Sequence, residues 1–290
     1  MSVAFRSAQG DLCCEFVPSD RGPLFVMLHL PRAQVRDCVL VVPPFAEEMN
    51  KSRRLVAELA AALVKRGLNV AIPDLSGTGD SAGDFGDASW IAWLDDLALC
   101  REWTESRGLT VSSLLAIRLG AALACDAVST GKLPPVRRTT FCQPVLDGRR
   151  HLQQFLRLRV AAKMVSRDGG ESIDSLRGLL SSGVAVEVAG YSVAPVLAQE
   201  LEAISAPDQL PQAFGEVDWV EVVRSLEAGP SAQAIRLSER SGTGGAAIRT
   251  HAVVGEPFWG ATEIVVDRNL LAVLEGCLAA DSASTGNRPH

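Results

Sequence analysis

Residues 112–124 read SSLLAIRLGAALA. An apolar, strand-like run passes directly into Gly-Ala-Ala-Leu-Ala, a helix start, and Arg118 stands at the corner between them. The segments on either side repeat this strand-then-helix rhythm. DCVLVVPP (37–44) is continuously apolar, as expected of a strand covered on both faces. A helix with Leu55, Val56, Leu59 and Leu63 on one stripe is predicted over 52–66, with Gly67 as its stop. Strand 68–75, helix 90–106 closed by Gly108, strand 109–117, helix 118–129 closed by Gly131 and strand 136–144 follow. Alternation at this spacing predicts a parallel sheet with right-handed crossovers.

Outward from that core the pattern changes. LCCEFVP (12–18) and PLFVMLHLP (23–31), joined by Ser-Asp-Arg-Gly, read as an antiparallel pair. From about residue 147 to 230 the rhythm is lost. This stretch opens with the basic amphipathic run GRRHLQQFLRLRVAAKM and reads as an insertion over the C-terminal ends of the strands. A strand at 232–239, a flexible SGTGG, a strand at 247–255 and a helix near 268–278 are expected to complete the core. The expected division is therefore a core from 1–146 and 231–280, an insertion from 147–230, and a disordered tail from 281–290.

The chain has 290 residues, enough to bury a full core, and 47% of them are hydrophobic against 21% charged, as in ordinary soluble domains. A net charge of −6 argues against a nucleic-acid binder, which carries a basic surface. Seven cysteines form no CxxC pair, and most sit in apolar runs, as buried thiols do. That usage fits a reducing cytoplasm and gives no zinc spacing. MSVAFRSAQG lacks an apolar leader core, and no apolar run is long enough to span a bilayer. Gly77, Gly79 and Gly83 lack the spacing of a dinucleotide fingerprint, so no cofactor is expected.

Three stretches carry a family likeness. DCVLVVPPF resembles a strand ending in an oxyanion loop, IPDLSGTGDSAG resembles the Asp-x-x-Gly-x-Gly-x-Ser loop after the next strand, and AIRLGAALA overlays a Gly-x-Ser-x-Gly nucleophile elbow. In that overlay Ala116 replaces the first glycine, Arg118 replaces the serine, and Gly120 is kept. The order resembles the α/β-hydrolase superfamily, which implies a mostly parallel sheet, an antiparallel N-terminal hairpin and a lid inserted after the sixth strand. PPFAEEMNKSRR, DLSGTGDSAGDF, QPVLDGRRHLQQFLRLR, VEVAGYS and GEPFW further resemble the second exosortase A system-associated hydrolase family. Its name implies hydrolysis, but a fold does not confer a reaction.

The expected triad is missing from its places. Gly79-Asp80-Ser81-Ala82-Gly83 is a literal Gly-x-Ser-x-Gly, yet Ser81 lies six residues beyond a strand end and no helix follows at once. An elbow needs both, so Ser81 is a weak candidate nucleophile and its hydroxyl is expected to tie the loop together. Arg118 occupies the proper corner. A guanidinium stays protonated, carries only donors and has no lone pair to attack a carbonyl carbon. The resemblance places a histidine after the last strand, where this chain reads Gly255-Glu256-Pro257-Phe258-Trp259. His251 falls inside that strand and is the other weak catalytic candidate. The matching acid belongs after the preceding strand, near Ser238 or Glu239, but has no histidine to orient.

A partly desolvated arginine at a helix start requires an anion nearby. Glu47, Glu48 and Glu256 lie in loops expected to converge there, and the backbone N–H groups of Leu119 and of Phe45 or Ala46 face the same spot. Two readings stay open. In one, Arg118 is locked to Glu47 or Glu48. In the other, Arg118 and the helix N-terminus bind an anionic ligand. Lys51, Arg53 and Arg54 are expected on a solvated helix face, and Trp90, Trp93 and Trp103 in core packing. The basic helix with Arg149, Arg150, Arg157, Arg159 and Lys163 is expected to be a cap helix, with at most peripheral membrane contact. The function expected is that of a non-catalytic accessory binding an anionic or acyl small molecule, or a protein partner of the exosortase system. The alternative is an ester or thioester hydrolase or acyl transferase with a non-standard site. A third alternative is a pure scaffold with a closed pocket.

Overall fold

The computed structural model describes residues 2–6, 10–165, 170–240, 245–261, 263 and 266–280. The segments 241–244 and 281–290, expected to be flexible or disordered, lie outside the described residues.

A hairpin opens the main sheet, formed by β1 (Ser2–Arg6), β2 (Asp11–Val17) and β3 (Leu24–Leu30), each antiparallel to the next. β4 (Asp37–Val42), α1 (Glu47–Lys65), β5 (Asn69–Pro73), α2 (Trp90–Ser106), β6 (Thr110–Ile117), α3 (Gly120–Ser129) and β7 (Arg138–Cys142) then alternate. The sheet closes with β10 (Glu216–Val223), α7 (Ala232–Arg240), β11 (Ile248–Val254) and α8 (Arg268–Ala279). The nine strands lie in the order β1-β2-β3-β5-β4-β6-β7-β10-β11, and the last six are mutually parallel. The mostly parallel sheet with an antiparallel opening is thus as expected.

The continuous apolar runs divide between two cores. Leu40, Val42, Leu114 and Ala116 face α2 and α3, whereas Val39, Val41, Leu115 and Ile117 face α1 and α8. Successive side chains point to opposite faces of a strand, so a run covered on both sides needs no polar residue. Between β7 and β10 lie the cap elements α4 (Gly148–Val165), α5 (Ile173–Ser181), the small hairpin β8 (Val186–Val188) and β9 (Tyr191–Val193), and α6 (Pro195–Ala203). Among the described residues no helix is long and apolar enough to cross a membrane.

Three differences from the sequence reading have identifiable causes. First, α1 begins at Glu47, five residues before the predicted start at Ser52. Ala46 turns the chain at φ 49°, and the two carboxylates sit in the first helical turn, where the helix dipole favours them. Second, residues 232–239 form part of the helix α7 rather than a strand. Ala234 and Leu237 are buried three residues apart while Ile235 and Arg236 are exposed, a helical stripe rather than an alternation. Third, the strand expected there is instead β10, inside the segment assigned to the insertion. Its acids, Glu216, Asp218 and Glu221, hide the strand pattern, but Asp218 and Glu221 are buried against partners. β1 adds an edge strand, antiparallel to β2, outside the expected pair.

Candidate functional site

The corner after β6 keeps the backbone of a nucleophile elbow. Arg118 has φ 54°, and its N–H donates to the Cys142 carbonyl at 3.0 Å, extending the pairing with β7. Its own carbonyl accepts from Ala121 and Val145. A Cβ at Gly120 would lie 2.5 Å from the Val42 carbonyl and 2.6 Å from that of Pro43, so α3 can pack on the end of β4 only with glycine there. Ala46 (φ 49°) and Gln143 (φ 46°) take left-handed conformations in the two flanking loops. Such backbone costs a residue with a side chain about 1–3 kcal/mol and persists where the surroundings over-determine it.

Arg118 is 7% exposed and its side chain is enclosed on several sides. Its Nη2 donates to Glu48 Oε1 at 2.9 Å and its Nε lies 3.2 Å from Glu48 Oε2. Nη1 donates to the Gln143 carbonyl at 3.3 Å. The Trp259 ring covers the guanidinium, with its centroid 4.4 Å from Cζ. Burial holds the Glu48 carboxyl above its usual range despite the opposing charge of Arg118. Glu48, rather than Glu47 or Glu256, is therefore the partner. Glu47 instead accepts from the Tyr191 hydroxyl at 3.3 Å, and Asn50 donates to the same hydroxyl at 2.7 Å, which ties the cap hairpin to α1. Glu256 is exposed, and its loop reaches the corner through Trp259.

The cap closes the other side of the corner. Phe45, at the end of the loop after β4, meets His151 and Phe155 of α4 edge-to-face, with ring centroids 5.2 and 5.1 Å apart. Phe85 and Trp93 complete the cluster. The cavity beside Phe45, Ala46, Leu119 and Gly120 has a volume of only about 10 Å³, the space of a single water. His151 is 4% exposed, and neither of its ring nitrogens has a hydrogen-bond partner among the described residues. Burial, reinforced by the Arg118 charge, pushes its pKa down to about 3, so the ring is neutral. His151 lies on the cap helix α4. Its proximity to the corner depends on how the cap folds back, and no local motif marks it.

The two weak catalytic candidates lie elsewhere. Ser81 is buried, and its Oγ accepts from the Phe25 N–H at 2.8 Å and donates to the Asp74 carbonyl, so it ties its loop to β3. Arg53 braces the same loop through both Asp74 oxygens, at 3.0 and 3.1 Å, rather than lying on a free helix face. His251 belongs to a separate cluster, on the edge strand β11. Its Nε2 lies 2.8 Å from Asp218 Oδ1 and 3.6 Å from Cys277 Sγ. Asp218 also accepts from Arg138 and Arg249. His251 pairs in register with Val220, Val220 with Cys142 and Cys142 with Ile117, so His251 stands level with the residue before Arg118 but three strands away, about 14 Å across the sheet.

This trio has the residue types of a cysteine nucleophile or a metal centre but the properties of neither. The Cys277 thiol is pushed up to about 12, chiefly by burial, and one histidine nitrogen faces both neighbours. A triad needs the two imidazole nitrogens to face different partners. Two guanidiniums on Asp218 already occupy the charge that would hold a cation. Trp90, Trp93 and Trp103 are buried as expected, with their indole N–H groups on Asp126, Ser76 and Glu15.

No protein-family model and no curated protein sequence matches the chain significantly. Solved structures do. Est1E from Butyrivibrio proteoclasticus, with ferulic acid bound, superposes with a TM-score of 0.63 at 14% identity, covering 91% of this chain and 96% of that one. Alpha/beta hydrolase domain-containing protein 10 from mouse gives 0.59 at 12% identity over 92% and 97% of the two chains. A thermostable carboxyl esterase from Bacillus coagulans gives 0.58 at 13% over 97% and 96%. Identities this low speak to architecture and leave chemistry to the site. With its strand order, crossovers, elbow and cap, the chain has the α/β-hydrolase fold.

Proposed function

We propose that this chain has kept the scaffold of the fold while losing acyl transfer, and that it serves as an accessory protein binding an anionic or acyl small molecule or a protein partner. One observation carries the reading: the elbow residue is Arg118, held by Glu48 and covered by Trp259. A nucleophile must offer a lone pair, and a base must stand within hydrogen-bond reach of it. Arg118 offers none, and the loop after β11 supplies an indole where the triad would need an imidazole. The runs PPFAEEMNKSRR and QPVLDGRRHLQQFLRLR support a place beside an exosortase system.

A fluorophosphonate probe tests the loss of acyl chemistry. The chain is expected to remain unlabelled under conditions that label an active esterase to completion. Stoichiometric labelling, mapped by mass spectrometry to Ser81 or any other hydroxyl, would restore the hydrolase alternative.

A further inference from the structure

The closed space beside Phe45 leaves little room for a ligand, but a larger cleft opens on the other flank of the corner. It has a volume of about 440 Å³, within the range of small-molecule sites. It lies between the cap helix α4 and the core helix α7, with Arg118 in its wall. Each helix presents one arginine and one glutamine to it. Arg150 and Gln154 stand four residues apart on α4, and Gln233 and Arg236 three apart on α7, so each pair shares a helix face. The turn Pro144–Leu146 supplies an apolar wall.

Most arginines of this protein are already paired. Arg53, Arg66, Arg138, Arg159, Arg177 and Arg249 each hold a carboxylate. The side chains of Arg150 and Arg236 hold none among the described residues. The one acid in the cleft, Asp147, accepts the Arg150 backbone N–H at 2.8 Å and so caps α4. Two cations facing one cavity repel each other, and an oxyanion between them removes that repulsion while accepting forked hydrogen bonds.

We propose that this cleft binds a small amphiphilic anion. Its carboxylate or phosphate lies between Arg150 and Arg236, the glutamine amides donate beside it, and a short apolar tail rests on Pro144–Leu146. The proposal rests on the accessory-binding reading and gives it a ligand class and a place.

The test is calorimetric titration of the full chain with hexanoate and with hexyl phosphate. Hexanol and inorganic phosphate serve as controls for the tail and the head alone. Saturable one-to-one binding of at least one amphiphilic anion is expected, weakening as salt is raised. The two anions distinguish a carboxylate site from a phosphate site. Arg150→Gln and Arg236→Gln, both at exposed positions, should each weaken binding about tenfold or more at unchanged melting temperature, and the double variant should abolish it. No saturable binding of either anion, or binding that survives in the double variant, overturns the cleft assignment. Probe labelling is scored separately. An unlabelled protein that binds no anion refutes the cleft alone, whereas a labelled protein with arginine-dependent binding refutes only the loss of catalysis.

Discussion

Arg118 and His151 show how single side chains set the character of the corner. The arginine is tolerated there because Glu48 neutralises it, the Gln143 carbonyl accepts from it and Trp259 covers its face. Removing one member of such a buried pair costs more than the pair is worth, because it strands the other charge. His151 is a different expense: a buried imidazole with neither nitrogen satisfied among the described residues. Its folded pKa of about 3 lies below the ordinary 6.5, so the unfolded chain takes up the proton first as the medium acidifies. Stability from this group is full above pH 6.5 and falls as pH drops toward 3. His151→Leu should therefore flatten the acid side of the stability profile. Melting temperatures of the two proteins at pH 7 and pH 4 check this, with the variant losing less on acidification. Parallel losses would show that His151 is not a buried neutral ring.

At the level of elements, the lower ends of β7, β10 and β11 are joined by one carboxylate. Asp218 is buried and accepts from Arg138 at 3.2 Å, from Arg249 at 3.0 Å and from His251 at 2.8 Å, one strand on each side of its own. Burial alone would raise its pKa, but the hydrogen bonds from Arg249 and His251 outweigh it and the carboxyl is held below its usual range. A lowered folded pKa gives stability that is present above the unfolded value and lost as pH falls through the folded one. Asp218→Asn leaves the buried Arg138 with the exposed Glu216 as its remaining carboxylate on β10. Weakening the charge-assisted hydrogen bonds should cost about 2 kcal/mol in urea melts at neutral pH, with the gap narrowing below the ordinary carboxylate range. A loss under about 0.5 kcal/mol, the scale of an exposed pair, would mean that the network is not a strand clamp.

For the molecule as a whole, the fold's chemistry depends on several loops meeting at one end of the sheet. Here those loops meet at Arg118. The loop after β4 sends Phe45 into the cap, α1 sends Glu48 to the corner, and the loop after β11 sends Trp259 over it. Restoring one residue should therefore not restore a reaction. Arg118→Ser is expected to fold yet show no acyl-enzyme burst with p-nitrophenyl acetate, because among the described residues no histidine is hydrogen-bonded at the corner to act as general base, a role that contributes about 10²–10⁴ to such a step. A burst equal to one acyl group per chain would reveal a hidden base, with the neutral His151 the first residue to examine.

Periodicity alone was enough to specify the alternating core, because a strand covered on both faces and a helix with one buried stripe leave patterns readable within ten residues. The place of Arg118 was equally legible, since it sits between a strand and a helix whose own patterns fix the corner. The choice of Glu48 over Glu47 was not, because adjacent residues on a helix point about 100° apart and only the packing of α1 assigns one to the corner and the other to the cap. β10 was hidden for a related reason: its acids look solvent-facing until Arg138 and Arg249 arrive from neighbouring strands. Trp259 over the guanidinium, His151 beside Phe45 and the cleft between α4 and α7 join residues far apart in the chain. Their distances are set by how the cap closes on the sheet, a tertiary event that leaves no short-range trace in the order of residues.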